Sequence, residues 1–465
     1  MQILSATQLC LLLVFTSGQS AGSHLPLRPK VEIEENIYSY EPPNNGAGPM
    51  WCHGSTCLVR VGDDVFASGL ETIPGAKPLN NCRWMLFRRE SEGWRKVCSD
   101  GSGRTREPSP MVGFSDGRLL LSANPTLSAD PNEYSGPARP DLLEFSAQDA
   151  SRPVRTLMPA WSGRPEFTEH SYRSFAADGA NRELILFQNV DYTHAEWTFL
   201  DRKGRWSAQG RLEWPWGADY SKPQAIRVCY PNVALKKREV HFCGVSDIVE
   251  PNESWRAFKK QLTGRDWDYD FRRLFYTWSP DVTAGGFEPW VEIASRERTC
   301  GRINAGDLWV DPDGKVHILW SERAIDERLR EKFFPGERQR HSLHYGVIRE
   351  GRVILRRTLL AAEEGKSNER PGRGRFHVTP DNRLFVFFYV SGADADGRSV
   401  SENRLLEILP GGSAGKSVRV PFERPFTSFM TATIRAGSTP SRILEVLGTR
   451  RGAGRTISFA RIRLN

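Results

Sequence analysis

A hairpin that recurs seven times constrains this chain more than any other feature: a short β-rich run, a polar turn, and a second β-rich run. Residues 57–61 and 65–68 flank the first turn at 62–64. The unit returns as 111–114 with 119–122, as 172–177 with 183–187, and as 232–235 with 240–243. It returns again as 307–310 with 316–320 and as 375–378 with 384–388. A seventh, weaker copy runs from Phe429 through the turn 437–440 to Leu447. The repeat is longer than the roughly 40–50 residues of common propeller repeats, and loop insertions account for the excess. Outer strands are visible too, as 84–87 with 94–97 and 343–348 with 352–355.

A single four-stranded sheet of this kind cannot bury both its faces, so such units pack against one another in a ring. The expectation is an all-β, seven-bladed β-propeller of four-stranded antiparallel blades, forming one domain over residues 24–465. The segment 31–40 is expected to add a strand that closes the ring against the last blade. A sandwich or a pair of β domains is the alternative, and the lack of linkers between units argues against it. Aromatic, Gly-rich and Pro-rich composition suits many strands and turns. One helix-like insertion is expected, near residues 324–333.

Residues 9–15 (LCLLLVF) form a short apolar run, followed by small residues to Ser23. This reads as a secretory signal over residues 1–23, too short to span a bilayer. The mature chain is expected to be soluble, monomeric, and secreted or periplasmic, with no membrane insertion. The net charge of +8, in an exported protein, points away from nucleic acid and toward carboxylated or sulfated glycans. No P-loop, dinucleotide-binding glycine turn, His-Glu-x-x-His or Gly-x-Ser-x-Gly motif is present. Asn252-Glu-Ser254 fits a glycosylation sequon.

Seven cysteines lie outside the signal. Cys82 and Cys98 flank a hairpin and are expected to bridge it, and Cys52 and Cys57 are close enough in sequence for a local bridge. Cys229, Cys243 and Cys300 remain, with His241 on the same strand face as Cys243. Three thiolates and an imidazole make a tetrahedral zinc set, so a structural zinc at Cys229, His241, Cys243 and Cys300 is one reading. A Cys229–Cys243 disulfide is the other.

Propellers place functional groups where the innermost strands begin. The residues ahead of those strands include Glu169, His170, Tyr172 and Arg173 in the third unit and Asp219, Tyr220, Arg227 and Tyr230 in the fourth. Arg302 and Asn304 open the fifth, and Arg373, Arg375 and His377 fall in the sixth. The turn after the third unit's second strand carries Asp191, Tyr192, His194 and Glu196. His, Tyr and Arg together suit β-elimination of a uronate glycan. An Arg neutralises the carboxylate, a base removes the C5 proton, and an acid protonates the departing glycosidic oxygen.

The chain resembles secreted seven-bladed propeller polysaccharide lyases, the ulvan-lyase type in particular. The resemblance rests on His170, His194, Tyr220, Arg227 and Tyr230, with Cys229, His241 and Cys243 as metal candidates. It implies a lyase acting on a uronate-containing, anionic and in some cases sulfated polysaccharide such as ulvan. It also implies a zinc site within the propeller. Residues 275–290 resemble the Asp-box turn of sialidase-like propellers, which is a folding element between outer strands. A sialidase-like hydrolase, with Arg227, Arg302 and Arg375 as an arginine triad, is therefore a second reading. A non-catalytic glycan-binding or protein-binding propeller is a third.

Overall fold

The computed structural model describes residues 27–51, 54–101, 103–130, 132–366 and 368–465. Among the described residues, seven four-stranded sheets form the body of the molecule, with two small two-stranded sheets beside them. The innermost strands of the seven are Leu58–Val61, Met111–Gly113, Ser174–Asp178, Val228–Lys236, Arg302–Val310, Arg370–Val378 and Phe426–Thr431. These open blades 1 to 7. In blades 1 to 6 the chain then meanders outward through three antiparallel strands. Residues near the axis are buried on both faces, and those at the rim meet water on one. Accordingly Glu183–Val190, second in blade 3, is buried almost throughout, whereas outermost Trp206–Glu213 alternates half-buried with exposed.

Blade 7 is completed by the start of the chain. Its three C-terminal strands are joined by Lys30–Ser39, which runs antiparallel to Thr456–Arg463 from Lys30↔Arg463 to Ser39↔Thr456. The closing strand inferred from residues 31–40 is thus in place, and the order is that of a closed seven-bladed propeller. Apolar side chains of neighbouring blades fill the space between sheets. Val59 and Phe66 of blade 1 belong to one buried cluster with Leu120 and Phe145 of blade 2 and Phe175 of blade 3.

Three expectations need correction. The main helix is Glu253–Thr263, inserted between the second and third strands of blade 4, and the stretch near 324–333 yields only the short helix Arg330–Phe333. Asn252, read as a sequon residue, caps the longer helix: its Oδ1 accepts from Trp255 N at 3.1 Å and from Ser254 Oγ at 2.7 Å. Cys82 and Cys98 are not bridged. Cys98 stands opposite Leu86, four residues along the strand from Cys82, or about 13 Å at the usual rise, beyond the reach of a disulfide. Nor are Cys229 and Cys243 joined. A bulge sets Cys229 against Val245 and Cys243 against Asn232. The proposed partner of Cys57, Cys52, lies outside the described residues, as does the signal segment. Among the described residues, no helix is long and apolar enough to cross a membrane.

Candidate functional site at the channel mouth

Each first strand runs from one face of the ring, here the mouth face, to the hairpins of the other. The connections between second and third strands return to the mouth face, so the insertion of blade 4 lies there. The loop between Lys30–Ser39 and Leu58–Val61 also crosses this face. Its Gly54 approaches blade 4 so closely that a Cβ would sit 1.9 Å from Pro231 O, which leaves room for glycine alone. Next to it, Ser55 Oγ accepts from Phe175 N of blade 3 at 3.1 Å. Trp51 is thereby laid over the mouth.

Trp51 stacks on Tyr172, with centroids 5.1 Å apart and planes 19° off parallel. Its centroid is 5.5 Å from that of His170 and 5.7 Å from that of Tyr230. Tyr172 meets Tyr230 edge-on at 5.1 Å, and the two phenols are hydrogen-bonded. Burial, before any neighbouring charge, pushes both phenols well above their ordinary range, so both carry their protons at neutral pH. Tyr230 has a left-handed backbone, φ 49°, at the bulge of Val228–Lys236. For a non-glycine residue this costs about 1–3 kcal/mol, strain of a kind that gathers at functional sites.

His170 Nδ1 lies 2.7 Å from Glu107 Oε1. Glu107 is buried and also accepts from Ser171 N and Ser171 Oγ, each at 3.0 Å. A carboxylate held this way fixes the ring and its tautomer. The His170 side chain is 30% exposed, and its Nε2 bonds to no described residue. Glu107 stands four residues ahead of Met111, as His170 stands four ahead of Ser174, so the dyad joins equivalent positions of blades 2 and 3.

Arg227 is buried beside these rings. Its Nη2 is 2.5 Å from Asp247 Oδ2, and its guanidinium lies 3.8 Å from the Tyr192 centroid and 5.0 Å from that of Tyr172. Its charge is therefore matched within the protein. Two other guanidiniums are disposed differently. Arg302 Nε and Arg373 Nη2 both donate to Asn304 Oδ1, at 3.2 and 3.3 Å, and Arg302 lies 4.7 Å over Phe271. Burial and the neighbouring Arg375 and Arg302 push Arg373 down to about 10. Burial and Arg323 lower Arg302 as well. Two cations sharing one amide oxygen make an electropositive spot suited to an anionic ligand.

Of the five residues on which the lyase resemblance rests, the mouth gathers His170, Arg227 and Tyr230. His194 opens the strand His194–Leu200 with both ring nitrogens engaged, by Thr193 Oγ1 at 2.7 Å and Glu196 Oε1 at 3.0 Å. Tyr220 sits on the outer side of blade 4, where its hydroxyl donates to Glu297 Oε1 at 2.9 Å and accepts from Arg273. The four side chains expected to share a zinc are not assembled, and no group of three or more metal-ligating residues occurs among the described residues. His241 lies between Tyr276 Oη at 2.8 Å and Glu239. Cys300 Sγ faces Glu250 and Arg272 at 3.5 Å. Cys229 and Cys243 pack with Ile303 and Leu308 in the apolar seam between blades 4 and 5. Strand register sets these positions apart. Sequence reasoning missed Trp51, Glu107 and Asp247; only Glu107 left a signal, its place ahead of an inner strand.

No protein-family model matches the chain, and no curated protein does. Among solved structures it is similar to a protein of unknown function from Dyadobacter fermentans, with 10% identity over 94% of this chain and 99% of that one, TM-score 0.44. It is also similar to the Penicillium chrysogenum α-L-arabinanase in complex with arabinobiose, with 13% identity, 93% and 98% coverage, and TM-score 0.41. A third similarity is to the Synechocystis apocarotenoid oxygenase, with 11% identity, 91% and 87% coverage, and TM-score 0.42. The assignment as a seven-bladed propeller rests on the strand pairings themselves.

Proposed function

We propose that this chain is an exported polysaccharide lyase that cleaves a uronate-containing anionic polysaccharide by β-elimination at the channel mouth. One observation carries the reading. The Glu107-held imidazole of His170, its side chain 30% exposed and its Nε2 bonded to no described residue, stands beside the protonated phenol of Tyr172, which is hydrogen-bonded to that of Tyr230. In this reading the Arg302–Arg373 pair binds the carboxylate and makes the adjacent C5 proton more acidic. His170 Nε2 takes that proton, the C4–O bond breaks, and its electron pair leaves with the oxygen as the C4=C5 bond forms. Tyr230, hydrogen-bonded to Tyr172, protonates the departing oxygen. Solvent then removes the proton from His170 and restores that of Tyr230. The hollow lined by Trp51, Tyr172 and Tyr230 holds about 10 Å³, room for roughly one water. A sugar therefore lies over the mouth.

Glycoside hydrolysis uses two available carboxylates. The two carboxylates in contact with the mouth's imidazole and guanidinium groups are both engaged, Glu107 by His170 and Ser171 and Asp247 by Arg227. This favours elimination. The test is ultraviolet absorbance of the unsaturated product over a panel of uronate polysaccharides, ulvan first. Wild type is expected to generate it, and His170→Ala to lose about 10²–10⁴ of the rate, the usual worth of a general base, with the fold intact. Release of reducing ends without new absorbance would instead establish hydrolysis.

A further inference from the structure

The strands of blade 5 carry a row of basic side chains outward from the mouth. Arg302 stands opposite Arg323, and Arg323 opposite His341, on the strands Arg302–Val310, Val316–Arg323 and Arg340–Arg349. Directly opposed residues share a sheet face, and three strands in succession span about 10 Å. Beyond them, Arg323 and His341 line a cleft of about 360 Å³ with Arg370, Arg330 and Asn368. Arg370 opens the first strand of blade 6.

The charges of this row are not matched internally. Among the described residues, no carboxylate lies within ion-pair distance of Arg302, Arg323 or Arg370, and Arg323 Nε is buried without a hydrogen-bond partner. Two acids also line the cleft, Glu327 and Glu364, and both are taken up by Arg330, at 3.5 and 2.5 Å. Burial holds the His341 imidazole below its ordinary range, and Arg370 and Arg323 add to this, outweighing the opposite pull of Glu327. Like charges held together work against folding, and such a violation of local consistency marks a binding surface.

We propose that Arg302, Arg323, His341 and Arg370 bind the carboxylate or sulfate groups of successive sugars in an anionic polysaccharide, along a track from the mouth into the cleft between blades 5 and 6. The proposal rests on the reading that the mouth accepts such a polymer, and it concerns binding rather than the bond cleaved. An anionic chain laid on the row would supply the counter-charges the protein omits, and its affinity would grow with length as more groups are engaged. That affinity would also be sensitive to salt.

The test is calorimetric binding with His170→Ala as the parent, so that turnover does not interfere. The probes are alginate oligosaccharides of defined length, bearing carboxylates only, and carrageenan oligosaccharides, bearing sulfates only. Affinity is expected to rise with length for at least one series, which also identifies the anion. Arg323→Ala with Arg370→Ala should weaken long oligomers about tenfold, or about 1.4 kcal/mol, and leave the disaccharide unchanged. Arg202→Ala with Arg352→Ala, in hairpins of the opposite face, removes the same charge and should change neither. Equal weakening by both pairs would reduce the effect to bulk charge and overturn the proposal. Affinity that stops rising at the disaccharide in both series would overturn it too. Length-dependent binding by the row without any ultraviolet product from wild type would uphold the track and reject the lyase chemistry.

Discussion

Asp270 is buried in blade 4 beneath the mouth-face insertion, where its Oδ1 accepts from Ser246 Oγ at 3.0 Å and Arg272 N at 2.8 Å. Burial pushes its carboxyl up to about 7. Arg272 pulls the other way, and the nearby Glu297 and Glu250 add to the rise. The unfolded value is about 3.9. Between these two values the folded state binds the proton and the unfolded state has released it, so stability falls as pH rises through this window and levels off above it. Asp270→Asn keeps the Oδ1 acceptor and removes the titration. Thermal midpoints taken from mildly acidic to slightly alkaline pH should decline for wild type relative to this variant. Parallel curves would mean that the carboxyl stays ionised throughout. At this scale the sequence was informative only where strand position decides. His170, Arg227 and Tyr230 were visible because residues ahead of an inner strand arrive at the axis. Tyr220 shares that neighbourhood in sequence yet turns outward to Glu297 and Arg273, a direction set by contacts distant in the chain. Glu107 is an ordinary acid in a Pro-rich stretch until the ring brings blade 2 beside blade 3.

The strand Lys30–Ser39 shows how an element can be read from sequence while its partners cannot. Its β-rich pattern was visible, and a ring with only three strands in its last unit needs a fourth. Ion pairs at its rim add to the ladder: Glu34 with Arg450 at 3.2 Å and Glu35 with Arg89 at 2.6 Å. The second pair also ties blade 7 to blade 1. Removing residues 30–39 would leave Thr456–Arg463 as an open edge and uncover Phe459 and Ile457, now buried beside Ile33 and Ile37. The truncated chain is expected to unfold at clearly lower denaturant concentration and to aggregate, measured by chemical denaturation and light scattering. An unchanged midpoint would show that the ring holds without its closing strand. The helix Glu253–Thr263 escaped notice for a physical reason. Only Trp255 and Lys259 on it are buried, so it lacks the broad apolar stripe that betrays a helix. Trp255 and Phe258 meet Phe334 and Phe333 of the neighbouring insertion, and charge anchors it too: Lys259 Nζ is 2.7 Å from Glu250, which also binds Arg272 through two contacts, at 2.9 and 3.0 Å. Tertiary ion pairs of this kind leave no periodic trace in sequence.

Seven blades around an axis leave a channel, and in this molecule blade 7 fills it. Past Phe426–Thr431 the chain turns inward, so that Gly113 N donates to Ala436 O and Ala177 N to Arg435 O, both at 2.8 Å. Gly437, at φ 85°, lies so close to blade 2 that a Cβ would meet Gly113 O at 1.9 Å. From this segment Arg435 reaches across. It donates to Gly54 O in the loop leading into blade 1 at 2.9 Å, to Asn232 Oδ1 of blade 4 at 3.0 Å, and to Asp307 Oδ1 of blade 5 at 2.9 Å. Blade 7, which carries this side chain, faces blade 4 across the ring, and its backbone neighbours bond to blades 2 and 3, so Arg435 lies on the axis. A polymer therefore could not thread the channel, and the proposed track keeps it on the mouth face, where the basic row lies. Asp307 is buried too, and its second oxygen accepts from Phe376 N of blade 6 at 2.9 Å. Arg435→Met would leave this buried carboxylate without its counter-charge, and such uncompensated buried charges cost about 3–5 kcal/mol. Adding Asp307→Asn removes the stranded charge while leaving an oxygen for one backbone N–H. Urea denaturation should show the double variant more stable than Arg435→Met alone, because the two sites are coupled through one ion pair. If the two losses simply added, the pair would not be the keystone, and closure of the axis would rest on the backbone contacts of Ala436 and Gly437 instead.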